Sequence, residues 1–177
     1  KRISAAVSAL SEKKIKLNCK VCQLVKLYKN GEPFKMSKRA GDFISAQDLL
    51  SEVDKDPIRF MMLNRSNDVE IDFDFDKVKE KTKDNPVFYV QYAYARINSL
   101  LRTLNTRFVE KIEFDEIDFN LNDMEKKIIR KAFEWPKVIE SASKKFDLHK
   151  IPFYLYELST LFHAYWSKGN EDKRYKF

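Results

Sequence analysis

The residues with the clearest chemical potential form a short basic stretch, Lys35-Met36-Ser37-Lys38-Arg39, in which three cations fall within five residues. The sequence predicts a loop here, because a β-hairpin precedes it. Lysine is a compact point charge on a long, adaptable stem. Lys35 and Lys38 could therefore neutralise the charge that grows on a leaving pyrophosphate when the α-phosphorus of a triphosphate is attacked. An ordinary basic surface loop has the same composition, so charge alone leaves both interpretations open.

A second set of chemically capable side chains falls on a long helix that Asn85-Pro86 is expected to start, since proline favours the first helical position. Tyr89, Tyr92 and Arg96 step by three and four residues along it and share one face. Aromatic rings beside a guanidinium suit the recognition of unstacked RNA bases. Such stacking contributes about 1–3 kcal/mol per base. The same rings could instead fill a helix–helix interface, and the sequence leaves that alternative open.

The long helix also has an apolar stripe, which predicts the face turned to the core. Its members are Val90, Ala93, Tyr94, Ile97, Leu101 and Leu104. The last helix is rich in aromatic residues and is expected to be mostly core, with Tyr165 or Trp166 as rings that could face the same RNA. His163 stands alone on this largely apolar helix, so we expect it to be hydrogen-bonded in place rather than catalytic.

Metal binding is not supported by the sequence. Cys19-x-x-Cys22 has no second cysteine pair, and His149 and His163 do not have ligand spacing. The three aspartates within residues 72–76 lack the glycine and the closing glutamate of a calcium loop. We therefore predict no metal site, and we interpret the aspartates as a solvated edge or as partners of Lys and Arg.

Local signals predict the elements that position these residues. Asn30-Gly31 is a strong hairpin signal, because both central positions of a type I′ turn need positive φ. Ser45 fits a helix N-cap, and Asp56-Pro57 is expected to open the next helix. The remaining expectations are a helix over residues 1–10, strands over 19–28 and 32–36, extended chain over 71–76, a helix from Pro86 to about Asn105, inward Leu49, Leu50 and Val53, and helices from Leu121 interrupted at Pro136 and Pro152.

Composition bounds the class of protein. The 177 residues are 44% hydrophobic and carry a net charge of +7, which is typical of a folded, soluble chain. No apolar run is long enough to span a bilayer and no signal peptide opens the chain, and two cysteines point to a reducing cytoplasm. Residues 1–40 hold 11 basic and two acidic residues, a local +9, whereas residues 84–177 sum to only +2. The excess positive charge therefore accompanies the basic loop, not the helical part.

The Lys-Met-Ser-Lys string resembles the ATP-binding loop of class I aminoacyl-tRNA synthetases, although Arg39 stands where that family often has Ser. Downstream segments narrow the resemblance to arginyl-tRNA synthetase. They are residues 37–44 (SKRAGDFI), 48–50 (DLL), 56–60 (DPIRF), 72–76 (DFDFD) and 85–96 (NPVFYVQYAYAR). Tyr94 departs from the histidine that is usual in this family. The resemblance extends from Lys1 to about Lys168 and is most specific between residues 33 and 100.

This resemblance implies a mainly α fold, in which an all-helical anticodon-binding bundle follows a small α/β remnant of a class I catalytic domain with its β-hairpin and Lys-Met-Ser-Lys loop. The expected division is 1–41, the end of the catalytic domain; 42–83, a connecting segment that contacts the tRNA stem; and 84–177, a truncated anticodon-binding domain. The chain has no His-Ile-Gly-His motif. It is therefore expected to be a C-terminal fragment that is inactive alone.

The resemblance also implies roles for individual residues. Lys35 and Lys38 would be catalytic and would bind the ATP phosphates, assisted by Ser37. Tyr89, Tyr92, Arg96 and Tyr165 would contact the anticodon loop. The intact enzyme would be a cytoplasmic monomer that uses arginine, an arginine-accepting tRNA and ATP with Mg²⁺, without a membrane. The alternatives are a non-catalytic RNA-binding helical domain and another class I synthetase, such as the cysteinyl enzyme.

Overall fold

The structure is a computed structural model that describes residues 1–34, 44–107 and 120–175, without the side chains of 105–107 and 173. Lys35, Ser37 and Lys38 lie outside the described residues. The helices are α1 Arg2–Leu10, α2 Ala46–Glu52, α3 Lys55–Leu63, α4 Phe75–Lys79, α5 Pro86–Arg107, α6 Asp123–Phe133, α7 Trp135–Lys145 and α8 Lys150–Glu171. The strands are β1 Val25–Lys29, β2 Glu32–Pro33 and β3 Ile71–Asp74. The described part of the chain is thus mainly helical with one small sheet, as predicted.

The predicted hairpin is confirmed at its turn. Asn30 and Gly31 have φ angles of 53° and 76°, the positive values that a type I′ turn requires, and Lys29 pairs with Glu32 in antiparallel register. Strand β1 begins only at Val25, so the expectation of a strand from residue 19 is wrong for its first six residues. Cys19 and Cys22 consequently lie in irregular chain and are exposed.

The third strand comes from a distant part of the chain. β3 pairs in parallel with β1, from Val25 beside Ile71 to Tyr28 beside Asp74, which gives the order β2-β1-β3. The extended segment ends at Asp74, earlier than predicted, because the Asp74 carboxylate accepts hydrogen bonds from the backbone N–H groups of Asp76 (3.0 Å) and Lys77 (3.3 Å) and caps α4. The expected solvated edge is therefore in part a helix cap.

A compact apolar cluster holds the sheet against the short helices. Its buried members are Val53, Phe73, Phe75 and Val78. The rings of Phe73 and Phe75 meet edge to face with centroids 5.5 Å apart, a favoured geometry for aromatic pairs. Residues from β1, α2 and α3 pack around this cluster, so the sheet and helices α2 to α4 share one core.

Helices α2 and α3 begin close to their predicted starts. Ser45 caps α2 in a capping box: its hydroxyl accepts from the Asp48 N–H at 3.2 Å, and its own N–H donates to the Asp48 carboxylate at 2.8 Å. The Ser45 hydroxyl also donates to that carboxylate at 2.6 Å. This hydrogen bond lowers the pKa of Asp48. Helix α3 starts at Lys55, so Pro57 is its third residue rather than its first. The expectation that Leu50 points inward is wrong, because Leu50 is 46% exposed.

The C-terminal helices pack around α8, which contacts α5, α6 and α7. The two predicted interruptions are confirmed: Pro136 is the second residue of α7 and Pro152 the third residue of α8, positions where a missing N–H costs nothing. Lys20 links this part to the N-terminal part, because its Nζ donates to the Asp147 carboxylate (3.0 Å) and to the Lys145 carbonyl (3.2 Å). No described helix is long and apolar enough to cross a membrane.

The prediction that the apolar stripe of α5 is buried in the core is wrong for most of its residues. Ala93 is buried, but Tyr94, Ile97, Leu101 and Leu104 are 70%, 40%, 51% and 45% exposed. The physical reason is that helical periodicity identifies an apolar face without identifying what packs against it. In the structure α8 instead contacts the neighbouring face, which carries Tyr89 and Arg96.

Candidate nucleic-acid interface

A buried asparagine fixes where α5 begins. Asn85 is 7% exposed, and its Nδ2 lies 3.1, 3.1 and 2.9 Å from the carbonyl oxygens of Lys77, Val78 and Glu80. Its Oδ1 accepts from the Val87 N–H at 3.1 Å. The amide thus satisfies carbonyls at the end of α4 and an orphan N–H at the start of α5. The segment between the two helices is held beside the α5 N-terminus as a result.

A cleft of about 650 Å³ opens where this segment meets α5 and α8. The residues that line it are Lys81, Thr82, Lys83, Phe88, Tyr89, Gln91, Tyr92, Ala95, Arg96, His163 and Ser167. Among these described lining residues, three are cationic and none is acidic. Aromatic faces next to charged side chains that are all positive fit a ligand that has both planar rings and phosphates.

Arg96 lies at the centre of the cleft. Its guanidinium carbon is 4.1 Å from the ring centroid of Tyr92 and 4.9 Å from that of Trp166. Its Nη2 donates to the Tyr92 hydroxyl at 2.8 Å, and its Nη1 lies 3.2 Å from Nδ1 of His163. Two rings and two polar contacts therefore orient a permanently charged, planar group.

Tyr89 partly fills the interface between α5 and α8. Its half-buried ring lies 5.2 Å from the ring of Tyr156 and 4.5 Å from that of His163, measured between centroids. The same ring lines the cleft. Tyr89 therefore packs between the helices with one part of its ring, as the packing interpretation predicts, and lines the cleft with another part.

Tyr92 is more accessible. Its side chain is 53% exposed, and its ring is nearly parallel to that of His163, at 28° with centroids 5.6 Å apart. Since Arg96 and His163 restrict its motion, a base that stacked on it would meet an already ordered ring. Preorganisation of this kind lowers the entropic cost of binding.

The structure corrects the expectation for Tyr165. This residue is 6% exposed, and its hydroxyl donates to the Glu125 carboxylate at 2.6 Å. Burial, together with that hydrogen bond, raises the pKa of the Tyr165 hydroxyl. A ring enclosed in this way has no face open to a base, so we do not include Tyr165 in the interface. The helical period turns Tyr165 toward Glu125 of α6, whereas Trp166, the next residue, contacts Arg96 of α5.

Sequence reasoning missed several residues of the cleft. Lys81 and Lys83 belong to no recognisable motif. The only sequence signal for their position was the break at Asp84-Asn85-Pro86, which places them just before the N-terminus of α5. Gln91 was overlooked between two tyrosines. The signal for a contribution from α8 was the three- and four-residue spacing of His163, Trp166 and Ser167, which places them on one helical face.

The chemistry available in the cleft is that of binding. The cleft offers aromatic faces, an amide at Gln91, the hydroxyls of Thr82 and Ser167, and three cations. Nowhere in the described ranges do three or more His, Cys, Asp or Glu side chains gather as a metal site would require. Stacking, hydrogen bonding to base edges and phosphate neutralisation are the interactions that such side chains supply to single-stranded RNA.

The helical part of the chain is similar to a class of anticodon-binding domains, because residues 90–172 match the family model described as the DALR anticodon binding domain. The relatives of the whole chain are arginine–tRNA ligases. The enzyme of Pelagibacter ubique is 56% identical over 177 residues, and that of Ruegeria pomeroyi is 49% identical over 181 residues; each match covers all of this chain.

A solved structure agrees with these relatives. The crystal structure of a Campylobacter jejuni protein assigned as an arginyl-tRNA synthetase matches with a TM-score of 0.75 and 30% sequence identity, covering 94% of this chain and 36% of that one. The chain spans 31% of the length of the Pelagibacter and Ruegeria relatives. The similarity to arginine–tRNA ligases therefore covers the whole chain and about a third of each relative.

Proposed function

We propose that the chain is part of an arginine–tRNA ligase, which activates arginine with ATP and transfers it to its tRNA. In this proposal the cleft between α5 and α8 binds the anticodon loop, with Tyr89, Tyr92 and Arg96 as its contacts. The single observation that carries the proposal is the guanidinium of Arg96, which packs on the rings of Tyr92 and Trp166 and lines the same cleft as Lys81 and Lys83. Bases stack on such a surface while lysines neutralise the phosphates.

The ATP site belongs to the proposal as an inference from sequence alone. Lys35 and Lys38 would neutralise the phosphates of ATP, with Ser37 assisting the conformation of the loop. ATP would enter as a substrate with Mg²⁺, and residues 1–41, 42–83 and 84–177 would be the end of the catalytic domain, the connecting segment and the anticodon-binding domain. We further propose that the intact enzyme is a cytoplasmic monomer.

Two rival functions make different predictions. A non-catalytic RNA-binding protein would bind tRNA without activating any amino acid. A cysteinyl enzyme would activate cysteine instead of arginine, although the arginine–tRNA ligases among the relatives favour arginine. Amino-acid-dependent exchange of pyrophosphate into ATP by the full-length protein separates the three cases.

The anticodon role is tested with an RNA hairpin that carries the anticodon stem and loop of an arginine-accepting tRNA. Replacing Tyr89 by Ala should weaken binding by about tenfold or more, because one stacking surface is lost. Tyr94→Ala is the matched control, since Tyr94 lies on the same helix outside the cleft and is 70% exposed. Equal affinities in the two variants, with the fold intact by circular dichroism, would assign Tyr89 to packing alone.

A further inference from the structure

His163 makes two polar contacts from a buried position between α5 and α8. The residue is 8% exposed. Its Nδ1 lies 3.2 Å from Nη1 of Arg96, and its Nε2 lies 3.1 Å from the carbonyl oxygen of Tyr89. The imidazole of α8 thus connects to α5 at two points, the side chain of Arg96 and the backbone of Tyr89.

The identities of the two partners select one protonation state. A guanidinium only donates hydrogen bonds, so Nδ1 must accept and carry no proton. A carbonyl oxygen only accepts, so Nε2 must donate. The neutral imidazole with its proton on Nε2 is the only form that satisfies both contacts. In the other neutral tautomer the N–H at Nδ1 would face an N–H of Arg96, and two donors would oppose each other. In the imidazolium form the same clash would remain, and a second positive charge would lie beside Arg96.

The described contacts of Arg96 are with neutral groups: two aromatic rings, a tyrosine hydroxyl and this imidazole. A carboxylate partner would hold the guanidinium equally well, but it would neutralise the charge that an RNA ligand needs. A neutral acceptor orients the guanidinium and leaves its full positive charge for the ligand.

We propose that His163 is a positioning residue of this cleft, which fixes Arg96 for RNA binding as a neutral imidazole protonated on Nε2. The groups that face it are the Tyr89 and Tyr92 rings and the Arg96 guanidinium of α5, and the Phe162 ring of its own helix. His163 touches no RNA in this proposal and acts through Arg96. The part of the proposal that concerns RNA rests on the proposed function.

The tautomer is measured directly by nuclear magnetic resonance on the full-length protein with ¹⁵N-labelled histidine. The His163 signal is identified by its loss in His163→Asn. At neutral pH we expect a neutral ring whose proton is on Nε2, from the ¹⁵N shifts and the long-range couplings of the ring. A ring protonated on Nδ1, or a charged ring, would overturn the proposal without any reference to RNA.

Two variants separate the contacts. The side-chain amide of His163→Asn can place an acceptor near the position of Nδ1, and that of His163→Gln can place a donor near the position of Nε2. We expect His163→Gln to weaken binding of the anticodon hairpin about tenfold and His163→Asn to weaken it by about threefold or less. In an Arg96→Ala background both substitutions should have almost no further effect, because residues that act through one another are not additive.

The outcomes are distinct. Full additivity with Arg96→Ala, or a larger loss in His163→Asn than in His163→Gln, would show that His163 only supports the fold. If the unsubstituted protein fails to bind the hairpin, the proposed function is wrong, whereas the tautomer measurement still decides whether His163 accepts from Arg96. If neither variant folds, the His163 signal is assigned in the unsubstituted protein through the proximity of its ring to the rings of Tyr89 and Tyr92, and the tautomer measurement then decides alone.

Discussion

The guanidinium of Arg96 covers the ring of Tyr92, four residues earlier on the same helix, and donates to the hydroxyl of that ring at 2.8 Å. The pair therefore forms a continuous surface, half aromatic and half cationic, on one face of α5. Each of the two side chains therefore helps to orient the other. The first prediction follows from this coupling.

Replacing Arg96 by Lys should weaken tRNA binding almost as much as replacing it by Ala. Lysine keeps the charge but has no planar fork that can lie against Tyr92 and Trp166 and also donate to His163. We expect losses of about tenfold or more in both variants, measured as dissociation constants at one fixed salt concentration. Arg102→Ala, an exposed arginine of α5 outside the cleft, is the control, and unchanged affinity in Arg96→Lys would contradict the geometry.

Lys81 and Lys83 should bind phosphates rather than bases. Each neutralised phosphate of a single strand contributes about 0.7 to the slope of log affinity against log salt. Replacing both lysines by Ala should therefore reduce the slope for the anticodon hairpin by about 1 to 1.5 and weaken binding to all loop sequences alike. Lys127→Ala, an exposed lysine of α6 outside the cleft, should leave the slope unchanged. If the double substitution changed the preference for particular loop sequences, the two lysines would contact bases instead of phosphates.

Tyr165→Phe should reduce stability without reducing tRNA affinity. The substitution removes the hydroxyl that donates to Glu125 inside the helical bundle and leaves the ring packing in place. We expect a loss of about 1 kcal/mol in the free energy of unfolding, from the urea midpoint. Tyr94→Phe, at an exposed position, is the matched control. Weakened tRNA binding in a folded Tyr165→Phe variant would mean that the Tyr165 hydroxyl takes part in tRNA binding.

The ion pair between Lys20 and Asp147 should make stability depend on acid pH. The hydrogen bond from Lys20 lowers the pKa of Asp147 below its usual 3.8. A carboxyl group with a lowered native pKa binds fewer protons when folded, so its stabilisation is present above about pH 4 and is lost as the pH falls through the native pKa. Thermal midpoints from pH 6 to pH 3 should therefore converge between the unsubstituted protein and Asp147→Asn. A constant offset between the two proteins from pH 6 to pH 3 would contradict this assignment.

Lys38→Ala in the full-length protein should sharply slow arginine-dependent exchange of pyrophosphate into ATP while leaving tRNA affinity nearly intact. The reason is that the lost cation would stabilise charge on the leaving pyrophosphate and would not contact the anticodon loop. Lys16→Ala, an exposed lysine of the N-terminal part, is the control. An unchanged exchange rate in Lys38→Ala would contradict the loop assignment.

Local features of the fold could be predicted because their causes lie within a few residues. The Asn30-Gly31 turn depends on positive φ, the Ser45 cap on a side chain three residues from its partner, and the start of α5 on the break at Asp84-Asn85-Pro86. Nothing local indicates that β3 pairs with β1, because parallel pairing joins segments more than 40 residues apart. The Asp74 cap is local, since its partners lie two and three residues further on, but the alternating pattern of residues 71–76 favoured extended chain over a helix cap.

The sequence by itself determined the helical character of the chain, the position of the long helix and the two residue types, aromatic and cationic, that mark the face proposed to bind RNA. It could not determine which face of α5 packs against α8, because helical periodicity contains no information about the partner. Tertiary structure decided that Tyr94 and Ile97 are exposed, that Tyr165 is buried, and that His163 and Trp166 meet Arg96. These outcomes depend on contacts between residues 40 to 70 positions apart, and such contacts exist only once the helices have packed.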